Sequence, residues 1–215
     1  HWTDYRPTHP ECVTAVRNTA ALLADLGHEV EEARPQIDYN ALVRDFAVLW
    51  ASGPSAILRQ IRARVGDVPE GAVEPFVREF AEIGDRMTAG ELSLAQEGVF
   101  GVSRPIGQFH EEYDLFVTTV LASPPIKGGA WDRSSARIDT SPGTVMGDFM
   151  LVSPLANASG QPAISLPLHW TEDGLPIGVM LSAGYGREDL LYRVAGQLER
   201  AAPWIDRKPP IWPSD

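Results

Sequence analysis

Apolar positions near the start of the chain recur at steps of three and four residues, which is the spacing of one face of a helix. They run from Val13 to Leu26. Thr8-His-Pro-Glu11 has the form of a capping box, which marks the start of a helix. Gly27 follows the last apolar position, where many helices end in a left-handed glycine. The pattern therefore predicts a helix over residues 9–26.

Two short segments beside this helix are predicted to be strands. Residues 28–33 alternate loosely between polar and apolar side chains, and residues 2–5 precede the helix as the tail of another strand. The chain is therefore expected to open as strand, helix, strand.

From Tyr39 to about residue 111 the apolar spacing is again helical. The Gly53-Pro54 pair is expected to break the first helix, and Pro105 to interrupt the last, because proline lacks the N–H that a helix interior needs. The stripes are Leu42, Phe46 and Leu49; Ile57, Ile61 and Val65; Val73, Phe76, Val77, Phe80 and Ile83; and Ala95, Val99, Val102, Ile106 and Phe109. They predict a layer of helices that covers a sheet.

The pattern changes in the second half of the chain. Residues 115–121 form a continuous apolar, β-branched run, which is typical of a strand buried on both faces. Residues 121–145 are rich in Ser, Pro and Gly and predict a long loop, a candidate lid or pocket wall. Residues 163–168 and 177–181 flank an Asp-Gly turn signal and predict a hairpin of buried strands.

A last helix is predicted before Pro203, with Leu191, Val194, Ala195 and Leu198 on its apolar face. The whole pattern indicates an α/β protein with a mixed β-sheet covered by helices. Its strands are expected near residues 2–5, 28–33, 114–120, 162–169 and 176–182. Since two of these strands are apolar on both faces, part of their cover is expected to come from outside this chain.

Composition and charge narrow the classes of partner. With 215 residues, of which 44% are apolar, the chain can bury a sizeable core. Its 18 Lys and Arg against 29 Asp and Glu give a net charge of −11, so neither nucleic acid nor an anionic membrane is an expected partner. No run approaches the roughly 20 apolar residues of a membrane span, and no signal peptide is visible. A cytoplasmic protein is therefore expected.

Few residues offer chemistry of their own. Cys12 is the single cysteine and is expected to be structural, while the isolated histidines lack a partner at ligand spacing. The only lysines, Lys127 and Lys208, lie in proline- and glycine-rich stretches that provide no burial to lower a lysine pKa. No metal and no cofactor are predicted.

Several segments carry a family resemblance. Asn157-Ala-Ser-Gly-Gln-Pro-Ala-Ile-Ser-Leu-Pro-Leu168, then Asp173-Gly-Leu-Pro-Ile-Gly178, then a helix that closes on Ala202-Pro-Trp204, resemble the C-terminal half of the amidase signature family. Residues 9–33 are similar to the strand-helix-strand that follows the catalytic core in that family. Within the family, Ser159 to Leu191 is most similar to the 6-aminohexanoate cyclic-dimer hydrolase type.

The resemblance implies an amidohydrolase with a Ser-Ser-Lys triad and an acyl-enzyme intermediate. In the family these groups lie in a Gly-Ser-rich segment and an upstream lysine, and this sequence contains neither. Ser134-Ser135 is the nearest serine pair, and it lacks flanking glycines. No catalytic residue is therefore assigned here. Residues 1–215 are expected to be the C-terminal part of one amidase domain, inactive alone and partnered by the N-terminal catalytic half of the same protein.

The resemblance also suggests substrate-binding residues for a small-molecule amide. Asn157, Ser159 and Gln161 precede a buried strand, where polar groups converge on a crevice. Thr119 and Trp131 belong to the strand end and loop that form the substrate wall in the family. The alternatives stay open: Asn157 caps a turn, Trp131 packs the loop down, and the protein is a non-catalytic ligand-binding or scaffold subunit. A homodimer is among the allowed assemblies.

Overall fold

The computed structural model describes residues 7–69, 71–129 and 153–209. The described elements are seven helices and three strands, in the order α α α α α β α β β α. They are α1 (Pro10–Asp25), α2 (Tyr39–Val65), α3 (Pro75–Arg86), α4 (Ala89–Gly101), α5 (Ser103–Glu112), β1 (Leu115–Thr119), α6 (Ser153–Ser159), β2 (Ala163–Trp170), β3 (Pro176–Ala183) and α7 (Glu188–Ala201).

The described strands form one sheet in the order β1-β3-β2, and both pairings are antiparallel. Strands β2 and β3 are the predicted hairpin, whose turn contains Gly174 in the left-handed region at φ 79°. The register shifts between Pro167 and His169, so β2 carries an irregularity next to its proline. The α/β class is confirmed.

One hydrophobic core lies on the sheet face that carries Phe116 of β1 and Met180 of β3. Helices α2, α4, α5 and α6 cover it, and we call this side the helical-layer face. Five residues of the predicted fourth stripe are buried in the structure: Ala95, Val99, Val102, Ile106 and Phe109. The chain breaks between α4 and α5 at Val102, close to the interruption predicted from Pro105.

A second core lies on the opposite side of the sheet, which we call the two-helix face. Leu166, Leu181 and Ala183 pack there against Leu23 of α1 and the apolar side of α7. A smaller cluster beside it joins Cys12 and Ala15 of α1 to Ile177 and Val179 of β3. The molecule therefore has three layers, with the sheet between the helical layer and the α1/α7 pair.

The sequence predicted that part of the cover over the two apolar strands comes from outside this chain, and this prediction needs correction. Both faces of β3 are covered by helices of this chain, and Val179 to Ala183 are all buried. Strand β2 differs, because its side chains enter the second core while Ala163 and Ser165 on the other face stay exposed. The open surface is thus on β2 and not on the strands with the longest apolar runs.

The predicted strand at 28–33 is wrong. Residues 28–38 run without regular structure. Side chains hold this segment: His28 Nε2 lies 3.0 Å from Gln197 Oε1, the Tyr113 hydroxyl donates to Glu31, and Ala33 and Ile37 pack on the first core. The predicted strand at 2–5 lies outside the described residues.

The predicted helix at 9–26 is confirmed as α1, although its cap differs. His9 is the N-cap, and its Nδ1 accepts the Glu11 backbone N–H at 3.3 Å. Gly27 follows the helix in the left-handed region at φ 91°, as predicted.

The predicted break at Gly53-Pro54 is also wrong, because α2 continues through both residues to Val65. The second stripe does not face a core: Ile57, Ile61 and Val65 are 57%, 37% and 75% exposed. In the described part of the chain, α2 is the one helix long and apolar enough to cross a membrane by length and composition. It packs against α3 and α4.

Asp85 of α3 links α3 to α2. The Ser55 hydroxyl donates to Asp85 Oδ1 at 2.6 Å, and Arg59 Nε donates to the same oxygen at 2.8 Å. The Ser55 hydrogen bond, followed by that of Arg59, holds the pKa of Asp85 below its ordinary value. A depressed pKa in the folded protein means that the ionised carboxylate stabilises the fold.

We therefore expect the stability contributed by Asp85 to be complete above its unfolded pKa of about 4 and to disappear as the pH falls through the lower folded value. The measurement is the Tm difference between the protein that contains this chain and its Asp85→Asn variant, from pH 7 to pH 2. Asp67→Asn, at an exposed turn, is the control. A D85N difference that does not shrink in acid would contradict the assignment.

Candidate functional site

The candidate site forms where α6 turns into β2. Helix α6 ends at Ser159, and the next residue, Gly160, adopts φ 75° and donates its N–H to the Ala156 carbonyl at 2.9 Å. Such a left-handed residue closes a helix end at no steric cost only when it is glycine. The chain then enters β2 through Gln161 and Pro162.

Ser159 is buried and uses its hydroxyl within this turn. The hydroxyl donates to the Leu155 carbonyl at 2.7 Å and accepts the Gln161 backbone N–H at 3.3 Å. The Ser159 carbonyl accepts the Tyr185 hydroxyl at 2.8 Å. These bonds fix the direction in which the chain leaves α6, so Ser159 positions the residues that follow it.

Gln161 is 7% exposed, and its Oε1 has no hydrogen-bond partner among the described residues. A buried amide oxygen without a donor costs about 1–3 kcal/mol, so an atom of this kind is a candidate contact for a water, an ion or a ligand. In the described ranges two further buried hydroxyls on the helical-layer face also lack partners, those of Thr118 and Ser182. Because Thr118 pairs with Met180 and Ser182 pairs with Ala163, the two hydroxyls lie diagonally across β1 and β3, towards the start of β2.

Thr119 ends β1 on the two-helix face and is 1% exposed. Its hydroxyl donates to the Leu121 carbonyl and also contacts the thiol of Cys12. Burial raises the pKa of Cys12 to about 11, and the Thr119 hydrogen bond only partly opposes that effect. At neutral pH Cys12 is therefore a protonated thiol in the core, and not a nucleophile.

The other residues that the sequence singled out do not lie buried in this turn. Asn157 lies on α6 with an exposed side chain, one turn before Gln161. Trp131 lies outside the described residues, as does most of the predicted 121–145 loop. Lys127 and Lys208 are both exposed at the surface.

The structure adds two positions that sequence reasoning missed, Ala163 and Ser165. Both are exposed on the helical-layer face of β2, which begins two residues after Gln161. The period of two along a strand would have placed these two residues on one face, had it been applied at this point. In the described ranges, no group of three or more His, Cys, Asp and Glu side chains is placed to hold a metal ion.

The arrangement can bind a polar molecule but holds no complete reaction centre among the described residues. It offers an unpaired buried amide oxygen, an exposed asparagine and a turn held rigid by Ser159 and Tyr185. These groups can orient an amide, whereas attack on its carbonyl needs a nucleophile and a base supplied from elsewhere.

Comparison with known proteins gives consistent results. A family model described as Amidase matches residues 2–192. The 6-aminohexanoate-cyclic-dimer hydrolase of Paenarthrobacter ureafaciens is 32% identical over 213 residues, covering 94% of this chain and 42% of that protein. The chain thus spans about two fifths of the length of this relative.

Solved structures agree. The structure of a 6-aminohexanoate cyclic dimer hydrolase is similar with a TM-score of 0.84 and 28% identity, over 94% of this chain and 44% of that one. A bacterial aryl acylamidase of the amidase signature enzymes is similar with a TM-score of 0.81 over 95% of this chain and 43% of that one. At 18% identity the second likeness shows the fold alone.

Proposed function

Because the chain belongs to the amidase family, we propose that the protein containing it hydrolyses carboxamide bonds. The observation that carries the proposal is the family match over residues 2–192, together with 32% identity to a hydrolase of a cyclic amide. Amide hydrolysis is common to these homologues, and the substrate proposed here is a small linear or cyclic amide.

The proposed chemistry uses a Ser-Ser-Lys triad in the part of the protein outside this chain. A serine hydroxyl attacks the amide carbonyl carbon and passes its proton through the second serine to a neutral lysine. Backbone N–H groups stabilise the oxyanion, and the amine leaves with a proton returned by the lysine. Water then adds to the acyl-serine ester, releasing the carboxylic acid and regenerating the serine. The exposed positions of Lys127 and Lys208 support a base located elsewhere.

The proposed role of this chain is to form the wall of the substrate pocket and part of the sheet. Gln161 Oε1 accepts an N–H from the substrate amide, and Asn157 contacts the substrate from the end of α6. Ser159 and Thr119 position the two strand ends through their backbone hydrogen bonds. Trp131, which lies outside the described residues, is proposed as a further substrate contact.

The test uses the full-length protein, incubated with a serine-directed fluorophosphonate and with simple amides, including the cyclic dimer of 6-aminohexanoate. Covalent labelling outside residues 1–215, together with release of ammonia or amine, is the expected result. A folded full-length protein that takes up no label and hydrolyses none of these amides would contradict the proposal and favour a binding or scaffold role.

Gln161 gives a sharper test of the pocket. We expect Gln161→Leu to lower kcat/KM about tenfold, because loss of one hydrogen bond to the substrate costs about 1.4 kcal/mol. The Tm should stay the same or rise slightly, since the change also removes a buried acceptor that has no partner in the described part of the chain. A Gln96→Leu variant on the exposed side of α4 is the control. A fall in Tm with unchanged kcat/KM would assign Gln161 a structural role instead.

A further inference from the structure

The buried serine and threonine hydroxyls of the described ranges fall into two sets. Two of them, Thr118 Oγ1 and Ser182 Oγ, have no hydrogen-bond partner among the described residues. The others donate to an acceptor of this chain: Thr19 to the Ala15 carbonyl, Ser55 to Asp85, Thr119 to the Leu121 carbonyl and Ser159 to the Leu155 carbonyl. Since buried polar groups are normally hydrogen-bonded, the two exceptions need an explanation.

The two exceptions are neighbours on the sheet. Thr118 pairs with Met180 and Ser182 pairs with Phe116, so the two hydroxyls occupy diagonal positions on β1 and β3 and share the helical-layer face. Side chains at such positions lie about 7–8 Å apart at their bases. Their oxygens make no direct hydrogen bond, whereas a small molecule between them can bond to both, because two hydrogen bonds in series span about 5.5 Å. The arrangement therefore indicates one shared partner.

The surroundings of the pair restrict the chemistry of that partner. The core around it is apolar and includes Phe116, Met180 and Leu155. No charged side chain is buried in residues 7–69, 71–129 and 153–209, so an ion would lose its hydration there without a counter-charge. Thr118 and Ser182 are each 0% exposed, so a substrate-sized molecule does not reach them in the folded chain. A small neutral molecule that both donates and accepts hydrogen bonds fits these conditions, and water is such a molecule.

We propose that Thr118 and Ser182 together bind one internal water molecule between β1 and β3. Each hydroxyl makes one hydrogen bond to the water, which links the two strands beneath the helical layer. Leu155 and Ala158 of α6 belong to the core on this face, so the water lies on the side of the sheet that supports α6. The site is separate from Gln161, which precedes β2, and the inference does not rest on amide hydrolysis.

The first test is a double-mutant cycle on the full-length protein. Thr118→Val and Ser182→Ala remove the hydroxyls with little change of shape, and urea unfolding measures the stability of each variant. We expect each single variant to raise the unfolding equilibrium constant about tenfold, because the hydroxyl that remains loses its partner. The double variant should also change it by about tenfold, and not by the roughly hundredfold of two independent sites, because the water and both hydroxyls are then absent together.

Thr19→Val combined with Ser182→Ala is the matched control cycle. Thr19 is also buried, but its hydroxyl donates to the Ala15 carbonyl at 2.9 Å within α1. The same two chemical changes then affect separate partners, so their effects on the unfolding equilibrium constant are expected to multiply.

A high-resolution crystal structure of the unmodified full-length protein is the second measurement, and it applies even if a variant fails to fold. Water density within about 3 Å of both Thr118 Oγ1 and Ser182 Oγ is the expected result. A side chain from outside residues 1–215 bonded to either hydroxyl would overturn the proposal, as would the absence of density between them.

The cycle can also defeat the proposal. Single variants at least as stable as the parent would show that neither hydroxyl has a partner to lose. Losses that multiply in the Thr118→Val/Ser182→Ala protein would show that the two hydroxyls share no partner. Neither measurement involves an amide, so an inactive protein with the bound water would defeat only the proposed hydrolysis, and an active amidase without the water would defeat only this inference.

Discussion

Replacing Leu181 by alanine is expected to lower the free energy of unfolding by about 2–5 kcal/mol, the largest effect among the substitutions considered. Leu181 is fully buried in the middle of β3, where it joins β1, β2 and α7 in the second core. The truncated side chain leaves a cavity between the sheet and α7, and the tightly packed neighbours can close it only in part. The measurement is the urea midpoint and its slope for the protein that contains this chain.

Leu175→Ala is the matched control for this prediction. Leu175 lies in the turn between β2 and β3 and is 42% exposed, so the same change is expected to cost less than about 0.5 kcal/mol. Equal losses at Leu175 and Leu181 would show that the second core does not hold β3 in place.

The second large effect is expected at Gly84, where α3 crosses α2. A Cβ at this position would clash with the Ala51 carbonyl oxygen and would lie 2.8 Å from Ser55 Cβ. Since backbone cannot move aside as a flexible side chain can, Gly84→Ala must push the two helices apart. We expect a loss of about 2–3 kcal/mol, despite the better helix propensity of alanine.

The same substitution at Gly107 should stabilise the protein, whereas at Gly84 it should destabilise it. Gly107 lies inside α5, and a Cβ there would meet nothing within 4 Å. Gly107→Ala is therefore expected to raise the free energy of unfolding by about 0.5–1 kcal/mol through helix propensity alone. The comparison is made by thermal or urea unfolding. If both variants are stabilised, the helix crossing at Gly84 is looser than the structure indicates.

The sequence predicted elements whose signal is local. The start of α1, the Asp173-Gly174 hairpin and the apolar side of α7 each depend on residues within one or two turns of the element. The interruption between α4 and α5 was also predictable, because proline acts on the residues directly before it. All of these predictions are confirmed.

Helix α2 shows why other predictions failed. Gly53-Pro54 breaks a helix in isolation, but the glycine before the proline removes the Cβ that would clash with the proline ring. Ala51, Ser55 and Leu58 on either side of the proline are buried, and Ser55 is hydrogen-bonded to Asp85 of α3. This tertiary packing offsets the missing hydrogen bond, and no local pattern encodes it.

The candidate site was predictable only in outline. The sequence identified the segment from Asn157 to Gln161, and the structure places it at the junction of α6 and β2. Which of these side chains is free could not be read from the sequence, because it depends on partners distant along the chain. The Tyr185 hydroxyl donates to the Ser159 carbonyl, whereas no donor from residues 7–69, 71–129 or 153–209 reaches Gln161 Oε1.

Strand β3 divides its side chains between two interiors, with Val179, Leu181 and Ala183 on one side and Met180 and Ser182 on the other. Substitutions can therefore accumulate almost independently in the two interiors, because a change of side-chain volume in one interior does not alter the packing of the other. Insertions differ from substitutions, because they affect both interiors. A single codon inserted within this strand would exchange the two sets downstream and mismatch both interiors at once. Natural variation at β3 should thus be rich in compensated replacements and nearly devoid of insertions.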